Sequence, residues 1–302
     1  YYAMITTDDS ADFWQSVYSG AKEEGENSDA YVELFAGNVG TNYSIEERLD
    51  IAIASDVDGI ILEGEDGEGI RQKLEKAAEN GIPVVMVSQD VSDSERISFV
   101  GISRYNLGQT YGKEITTLVG QMLSQNDNLY NGGIPLSVMV LIGNEDDSTG
   151  QNLLLSGIKE EIAKNRSFAD RISIETYSVD DSGAFTAEES IRDIFMGQKS
   201  VPDILVCLNE IHTNCVYQAV IDYNRVGKTN IIGYYDSDSI LNAVRKDIVF
   251  STISMDTAQM GRYCVTALND YLDDGYVNDY YTVDTYVVRR DNVDSYMEGE
   301  SE

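Results

Sequence analysis

The sequence predicts an α/β protein of two similar lobes, each a parallel sheet covered by helices. Short apolar runs of strand length recur between helix-period segments along most of the chain. The rhythm breaks once, at the polar, glycine-rich stretch around Asn126, Asn131, Gly132 and Gly133, and then resumes in a similar order. With 302 residues and 42% hydrophobic content, the chain also exceeds the size at which a single core keeps growing.

In order, the strand-like runs cover residues 2–5, 31–35, 59–62, 83–87 and 98–102, then 137–142, 173–177, 204–208, 230–233 and 250–254. Several are nearly continuous in apolar residues, as strands covered on both faces require. Between them, Trp14, Val17, Tyr18 and Ala21 follow the i, i+3, i+4, i+7 spacing of a helix face. Ser44 with Glu47 reads as a capping box ahead of Ile45, Leu49, Ala52 and Ile53. A long helix starts near Tyr105, and another covers 257–272. This alternation implies Rossmann-like lobes built from right-handed crossovers. The segment 280–288 alternates enough to make one more strand, and the acidic end, 291–302, reads as a solvated tail.

The 53 acidic against 21 basic residues leave a net charge of -32, which disfavours nucleic acid and anionic lipid and favours a soluble monomer. No run is long enough and apolar enough to span a membrane. A signal or lipoprotein anchor is expected upstream of Tyr1, and membrane contact only through it. Cys207, Cys215 and Cys264 form no metal-type spacing and read as small buried apolar residues. His212, the only histidine, falls where a strand gives way to a helix and reads as a cap or cleft-edge residue.

In parallel α/β sheets the loops at the carboxyl ends of the strands build the binding crevice. Here they are polar: 7–12, 63–66, 88–90, 103–104, 144–148, 178–182, 209–210, 234–237 and 254–256. Neither a phosphate loop nor a nucleophile elbow is among them. The run Gly108 to Lys113 is one residue short of a phosphate loop, and Gly64 to Gly69 places two carboxylates where a pyrophosphate would sit. Asp236, Ser237 and Asp238 read as helix capping and dipole compensation, because Leu241 stands where a calcium loop needs glycine. No cofactor and no metal are expected, and no catalytic arrangement emerges from the acidic pairs Asp8–Asp9 and Asp180–Asp181.

The run Ser10-Ala11-Asp12-Phe13-Trp14-Gln15, followed by Gly20-Ala21, resembles the opening of type I periplasmic sugar-binding proteins, the ribose- and galactose-binding class. Their first loop reads asparagine-proline-phenylalanine-aromatic. Residues 57–62, 77–85, 100–103 with Leu107-Gly108, Gly157-Ile158, Asn209-Glu210, 232–236 and 252–256 are similar to the family in type and order. The resemblance implies the type I periplasmic-binding-protein fold, with a multi-crossing hinge near 103–105, 254–257 and 275–278. It implies an N-terminal lobe of 1–103 plus 257–277 and a C-terminal lobe of 104–256 plus 278–302.

It further implies that Phe13 and Trp14 clamp a ligand ring, since sugars offer apolar C–H faces to aromatic rings. Polar groups for the hydroxyls would come from Ser10, Asp12, Glu63, Ser103, Asp180 and Asn209, the last retained from the family pattern. Elsewhere the chain departs from that pattern. Ser88 and Gln89 replace an aspartate–arginine pair, Asn152 an arginine, Tyr235 an aspartate (with Asp236 directly after it), and Met255 a glutamine. These exchanges put neutral hydrogen bonds where charged ones are usual. Arg104 is a gain, either for a ligand carboxylate or for a cleft acid such as Asp236.

The resemblance therefore implies an extracytoplasmic protein that is not an enzyme. It would capture a small polar, sugar-like ligand between two lobes and deliver it to an ABC transporter. Two alternatives share the architecture: the sensing ectodomain of a membrane receptor, and the effector-binding core of a lac-repressor-type regulator. The second needs a basic helix-turn-helix that these residues do not contain.

Overall fold

The structure, a computed structural model, describes residues 1–35, 43–64, 67–91, 93–125, 135–144, 148–197 and 200–297. The break expected around 126–133 lies outside the described residues, as do Glu65 and Asp66, residues 145–147, and the tail from 298 onward. Packing divides the chain into two compact units. The first is Tyr1–Ser103 with Asp256–Asp284, and the second is Arg104–Met255 with Thr285–Glu302.

The first unit runs β1 (Tyr2–Ile5), α1 (Asp12–Asn27), β2 (Val32–Leu34), α2 (Ile45–Ala54), β3 (Gly59–Glu63), α3 (Glu68–Glu79), β4 (Val84–Val87) and β5 (Ser98–Gly101). The second contains α4 (Arg104–Gln125), β6 (Leu136–Ile142), α5 (Ser148–Lys164), α6 (Arg166–Ala169), β7 (Ile172–Ser178), α7 (Ala184–Met196), β8 (Ile204–Val206), α8 (Glu210–Asp222), β9 (Asn230–Tyr234), α9 (Asp238–Arg245) and β10 (Ser251–Met255). The chain then returns to the first unit for α10 (Thr257–Asp274) and β11 (Tyr280–Thr282), and ends in the second with β12 (Thr285–Arg289) and α11 (Val293–Met297).

The first sheet has the order β11-β5-β4-β3-β1-β2 and every pairing in it is parallel. The second has the order β12-β10-β9-β8-β6-β7 and is parallel except at β12. The two units thus repeat one strand order and differ in the direction of the sixth strand, and each reverses strand order once, between β1 and β3 and between β6 and β8. Such a reversal opens a crevice at the carboxyl edge of the sheet.

The segment expected as one strand over 280–288 is two strands in different sheets. β11 pairs parallel with β5, while β12 pairs antiparallel with β10, and Val283 and Asp284 separate them. The end of the chain also differs from a solvated tail as far as Met297. Val293 is fully buried, and the Tyr296 ring stacks on Tyr286 at 5.1 Å.

Local chemistry explains where helices begin and how they pack. The Ser44 capping box forms as expected, with Glu47 N donating to Ser44 Oγ at 3.2 Å and Ser44 N donating to the Glu47 carboxylate at 2.9 Å. Helices α1 and α10 approach at backbone distance: a Cβ on Gly20 would lie 2.0 Å from the Ala258 carbonyl oxygen, and one on Gly261 would lie 1.9 Å from that of Val17. The second unit uses the same device between α4 and α5, where Gly108 meets the Leu154 carbonyl and Gly157 that of Tyr105. Each unit has its own core, around Ile5, Leu49, Leu62 and Leu74 in the first and around Leu141, Ile191, Leu205 and Val244 in the second. Cys207 and Cys264 are buried as expected, whereas Cys215 is half-buried.

Candidate functional site

In the first unit the loop after β1 is pinned across the point where strand order reverses. Thr7 donates its backbone N–H and its hydroxyl to Glu63 Oε2, at 2.5 and 2.7 Å, and Glu63 is the last residue of β3. Asp8 Oδ1 accepts from the Ser10 hydroxyl at 2.7 Å and from the Ser10 N–H at 3.1 Å. The hydroxyl, then the N–H, holds the Asp8 carboxyl below its ordinary value. Gln15 reaches back to the Asp9 carbonyl, which ties the loop to the first turn of α1.

That turn carries Asp12, exposed, and the two rings. Trp14 is only 6% exposed, so the helical spacing has placed it in the interior; Phe13, half-buried, is the more accessible ring. They meet edge to face with centroids 4.8 Å apart, a favourable aromatic geometry that fixes Phe13 against a rigid neighbour.

After β4 the chain turns at Ser88, whose φ of 69° is left-handed, and Ser88 N donates to the Val100 carbonyl at 3.0 Å. Ser88 and Gln89 are both exposed at this turn. Arg96, its side chain 7% exposed, fastens the loop by binding Asp90 and Asp279. Ser103 lies half-buried just beyond β5.

In the second unit one carboxylate gathers three loops. Asp181 accepts from Asn144 N at 2.8 Å and from Asn209 Nδ2 at 3.0 Å, and His212 Nε2 lies 3.1 Å from it. His212 is fully buried rather than at a cleft edge, because α8 turns it inward beneath this carboxylate. Asn209 caps α8 by accepting from His212 N at 2.8 Å. Its second amide hydrogen and the second lone pair of its Oδ1 keep capacity for a ligand. Beside it, Asp180 accepts from the Ser182 hydroxyl and N–H and from Asn144 Nδ2, which together hold it below the ordinary carboxylate value.

The loop after β9 leaves Tyr235 with a φ of 75°. Its N–H donates to Ile253 O at 2.8 Å, and its carbonyl accepts from Thr252 Oγ1 at 2.6 Å. Asp236 does not cap α9, as the sequence suggested. Its two oxygens accept instead from Ser254 Oγ at 2.9 Å and from the Tyr286 hydroxyl at 2.6 Å, while Ser237 is the N-cap and Asp238 sits in the first turn. Burial pushes the neighbouring Tyr234 phenol up to about 12, and the Arg104 charge opposes that rise. Arg104 opens α4 exposed, Asn152 lies exposed on α5, and Met255 is packed at 7% exposure at the end of β10.

Each unit therefore brings its candidates to the carboxyl edge of its own sheet. Ser10, Asp12, Phe13, Glu63, Ser88, Gln89 and Ser103 gather in the first, and Arg104, Asn152, Asp180, Asn209, Tyr235 and Asp236 in the second. Trp14 and Met255 back these edges as packing residues. Among the described residues no group of three or more His, Cys, Asp or Glu is arranged to hold a metal ion, and no helix is long and apolar enough to cross a membrane.

A family profile described as the periplasmic binding protein domain matches residues 2–276, nearly the whole chain. The chain belongs to the periplasmic binding protein family. No protein of curated function matches it. Solved structures of similar fold include a sugar ABC transporter (sugar-binding protein) from Bacillus halodurans, with a TM-score of 0.79 at 20% identity, covering 98% of this chain and 99% of the other. The arabinose-binding protein AraP from Geobacillus stearothermophilus has a TM-score of 0.78 at 19% identity, over 97% and 98%. A structure described as the XylFII-LytSN complex has a TM-score of 0.70 at 25% identity, over 96% and 97%. Two six-stranded α/β sheets of repeated strand order are thus the type I periplasmic-binding-protein fold, as the loop and helix motifs implied.

Sequence reasoning missed Asp181, Thr7 and Tyr286 as the groups that hold the candidates in place. Nothing local distinguishes Asp181 from Asp180. Tyr286 could have been found only by splitting 280–288 and pairing its second half with β10.

Proposed function

We propose that this periplasmic binding protein is an extracytoplasmic solute-binding protein for a sugar or sugar-like metabolite. It takes contacts from the polar edge of each unit, closes on its ligand by hinge motion and delivers it to an ABC transporter. It performs no chemistry on the ligand. The observation that carries the reading is the make-up of the two carboxyl edges. The first edge offers a half-buried aromatic ring, Phe13, and neutral groups at Ser88 and Gln89; the second offers neutral groups at Asn152 and Asn209; and each carries acids already tethered by internal hydrogen bonds. Such a set suits a ring with apolar C–H faces and hydroxyls at its rim. The sugar-binding proteins of the same fold support the choice of ligand class.

A sensing role is the second reading, favoured by the similarity to XylFII, whose structure is described in complex with LytSN. In that case the ligand-bound form would signal through a membrane partner rather than release cargo.

Thermal unfolding with arabinose, galactose, D-allose and D-tagatose, sugars named with structures of this fold, tests the reading. A ligand at a hundredfold excess over its Kd adds about 2.7 kcal/mol to the folded state. A midpoint unmoved by every sugar, at millimolar concentration, would remove the sugar assignment.

A further inference from the structure

We infer that Tyr286 is a positioning residue, which together with Ser254 sets the Asp236 carboxylate to accept two neighbouring hydroxyls of the ligand. The inference rests on the proposed sugar-binding role and adds to it a residue that the family resemblance does not point to. β12 is the one antiparallel strand of its sheet, so it begins where β10 ends, at the carboxyl edge. Ser254 and Tyr286 are directly opposed in the β10–β12 register, and the side chains of such a pair share one face of the sheet. Their hydroxyls converge on different oxygens of the same acid: Ser254 Oγ on Asp236 Oδ1 at 2.9 Å, Tyr286 on Asp236 Oδ2 at 2.6 Å.

The supports of this arrangement are themselves fixed. The Tyr286 ring stacks on Tyr296, with planes 10° apart. The left-handed turn at Tyr235 is held at both its N–H and its carbonyl by β10. A carboxylate oxygen offers two lone-pair directions, and each Asp236 oxygen spends one on an internal hydroxyl. One acceptor site per oxygen is left, a pair spaced for adjacent hydroxyls of one sugar ring. Burial, followed by the bond to Asp236, raises the Tyr286 phenol, consistent with a proton kept on the tyrosine as donor.

The test uses calorimetric titration with arabinose, galactose, D-allose and D-tagatose on the wild type, Tyr286→Phe, Asp236→Asn and the double variant. Tyr286→Phe keeps the stacked ring and removes only the hydroxyl. It is expected to weaken the best-bound sugar roughly tenfold, the scale of one hydrogen bond to a charged group. The double variant is expected to bind no more weakly than Asp236→Asn alone, because both changes act through one contact. Wild-type affinity in Tyr286→Phe, or additive losses, would overturn the positioning role while leaving the sugar site intact. If no sugar binds the wild type, the proposed function fails and this inference with it.

A readout without ligand uses 13Cζ-labelled tyrosine, with the Tyr286 resonance identified by its absence from the Phe variant. In Asp236→Asn that phenol should ionise at lower pH, and an unchanged titration also overturns the inference.

Discussion

His212 Nε2 lies 3.1 Å from Asp181 Oδ2, with the histidine fully buried and the Asp181 side chain 9% exposed. The same carboxylate takes the Asn144 N–H and the Asn209 amide, so the loops after β6, β7 and β8 share one acceptor. The Asn144 N–H is exposed, but the Asn209 amide is half-buried and His212 fully buried, and taking the acceptor from such groups costs more than removing an exposed one. Asp181→Ala should therefore lower unfolding free energy by about 2–4 kcal/mol, while Asp180→Ala, on the exposed neighbour, should stay within about 1 kcal/mol. Urea unfolding of the two variants makes the comparison, and equal losses would contradict the role given to Asp181.

A second buried charge ties the last strand to the longest helix. Arg289 of β12 donates Nε to Glu114 Oε2 at 2.9 Å, and its Nη2 pairs with the other oxygen. The Glu114 side chain is 2% exposed, so Arg289→Met strands a carboxylate away from water. The expected loss is about 3–5 kcal/mol. The double variant Glu114→Gln with Arg289→Met should recover much of it, since no unpaired charge is left behind. Chemical unfolding of the single and double variants reads both outcomes.

The layout of the fold was legible because a strand buried on both faces must be apolar along its whole length. Runs such as Ile60-Ile61-Leu62 and Val84-Val85-Met86-Val87 therefore announce themselves. β7, read as one more short run at 173–177, is instead a largely exposed edge strand, which no run of apolar residues announces. The sheet membership of 280–288 was not legible either. Alternation marks a strand but says nothing of its partner, and Tyr281 and Tyr286 carry the same kind of residue into different sheets.

At the site, motif order points to Phe13, Asn209 and Asp236 as candidates, and the fold puts each at the carboxyl edge of its own unit. The roles of Trp14 and Asp181 depend on which way a helix face and a loop turn, which only packing decides.

Stability should fall at alkaline pH. Burial raises the Tyr234 phenol to about 12, and burial with the Asp236 bond raises Tyr286. A group whose folded pKa lies above its unfolded value, near 10 for tyrosine, contributes stability that is complete below about pH 10. That contribution is lost as pH rises through the folded value. The Cys207, Cys264 and Cys215 thiols are also raised by burial. Unfolding free energy should therefore begin to decline near pH 9, where thiols ionise in the unfolded chain, and fall more steeply above about pH 10. That second decline should be shallower in Tyr234→Phe. An equally steep decline in that variant would mean that the phenol is not the group responsible.

Phe13 and Trp14 are neighbours in sequence and in contact, yet their burial assigns them different tasks. Trp14 is a packing residue, 6% exposed, so Trp14→Ala opens a large cavity and should cost about 3–5 kcal/mol of stability. Phe13 is half-buried at the carboxyl edge, and its truncation removes less packing. Phe13→Ala should therefore cost under about 2 kcal/mol in unfolding while weakening sugar binding tenfold or more, because an aromatic face against C–H groups is lost. Phe13→Tyr, which keeps the ring, should bind within a few-fold of the wild type. Paired urea unfolding and calorimetric titration on the three variants separate the two tasks. If Phe13→Ala loses stability and affinity in the same proportion as Trp14→Ala, both rings belong to the core, and the ligand is held by polar groups alone.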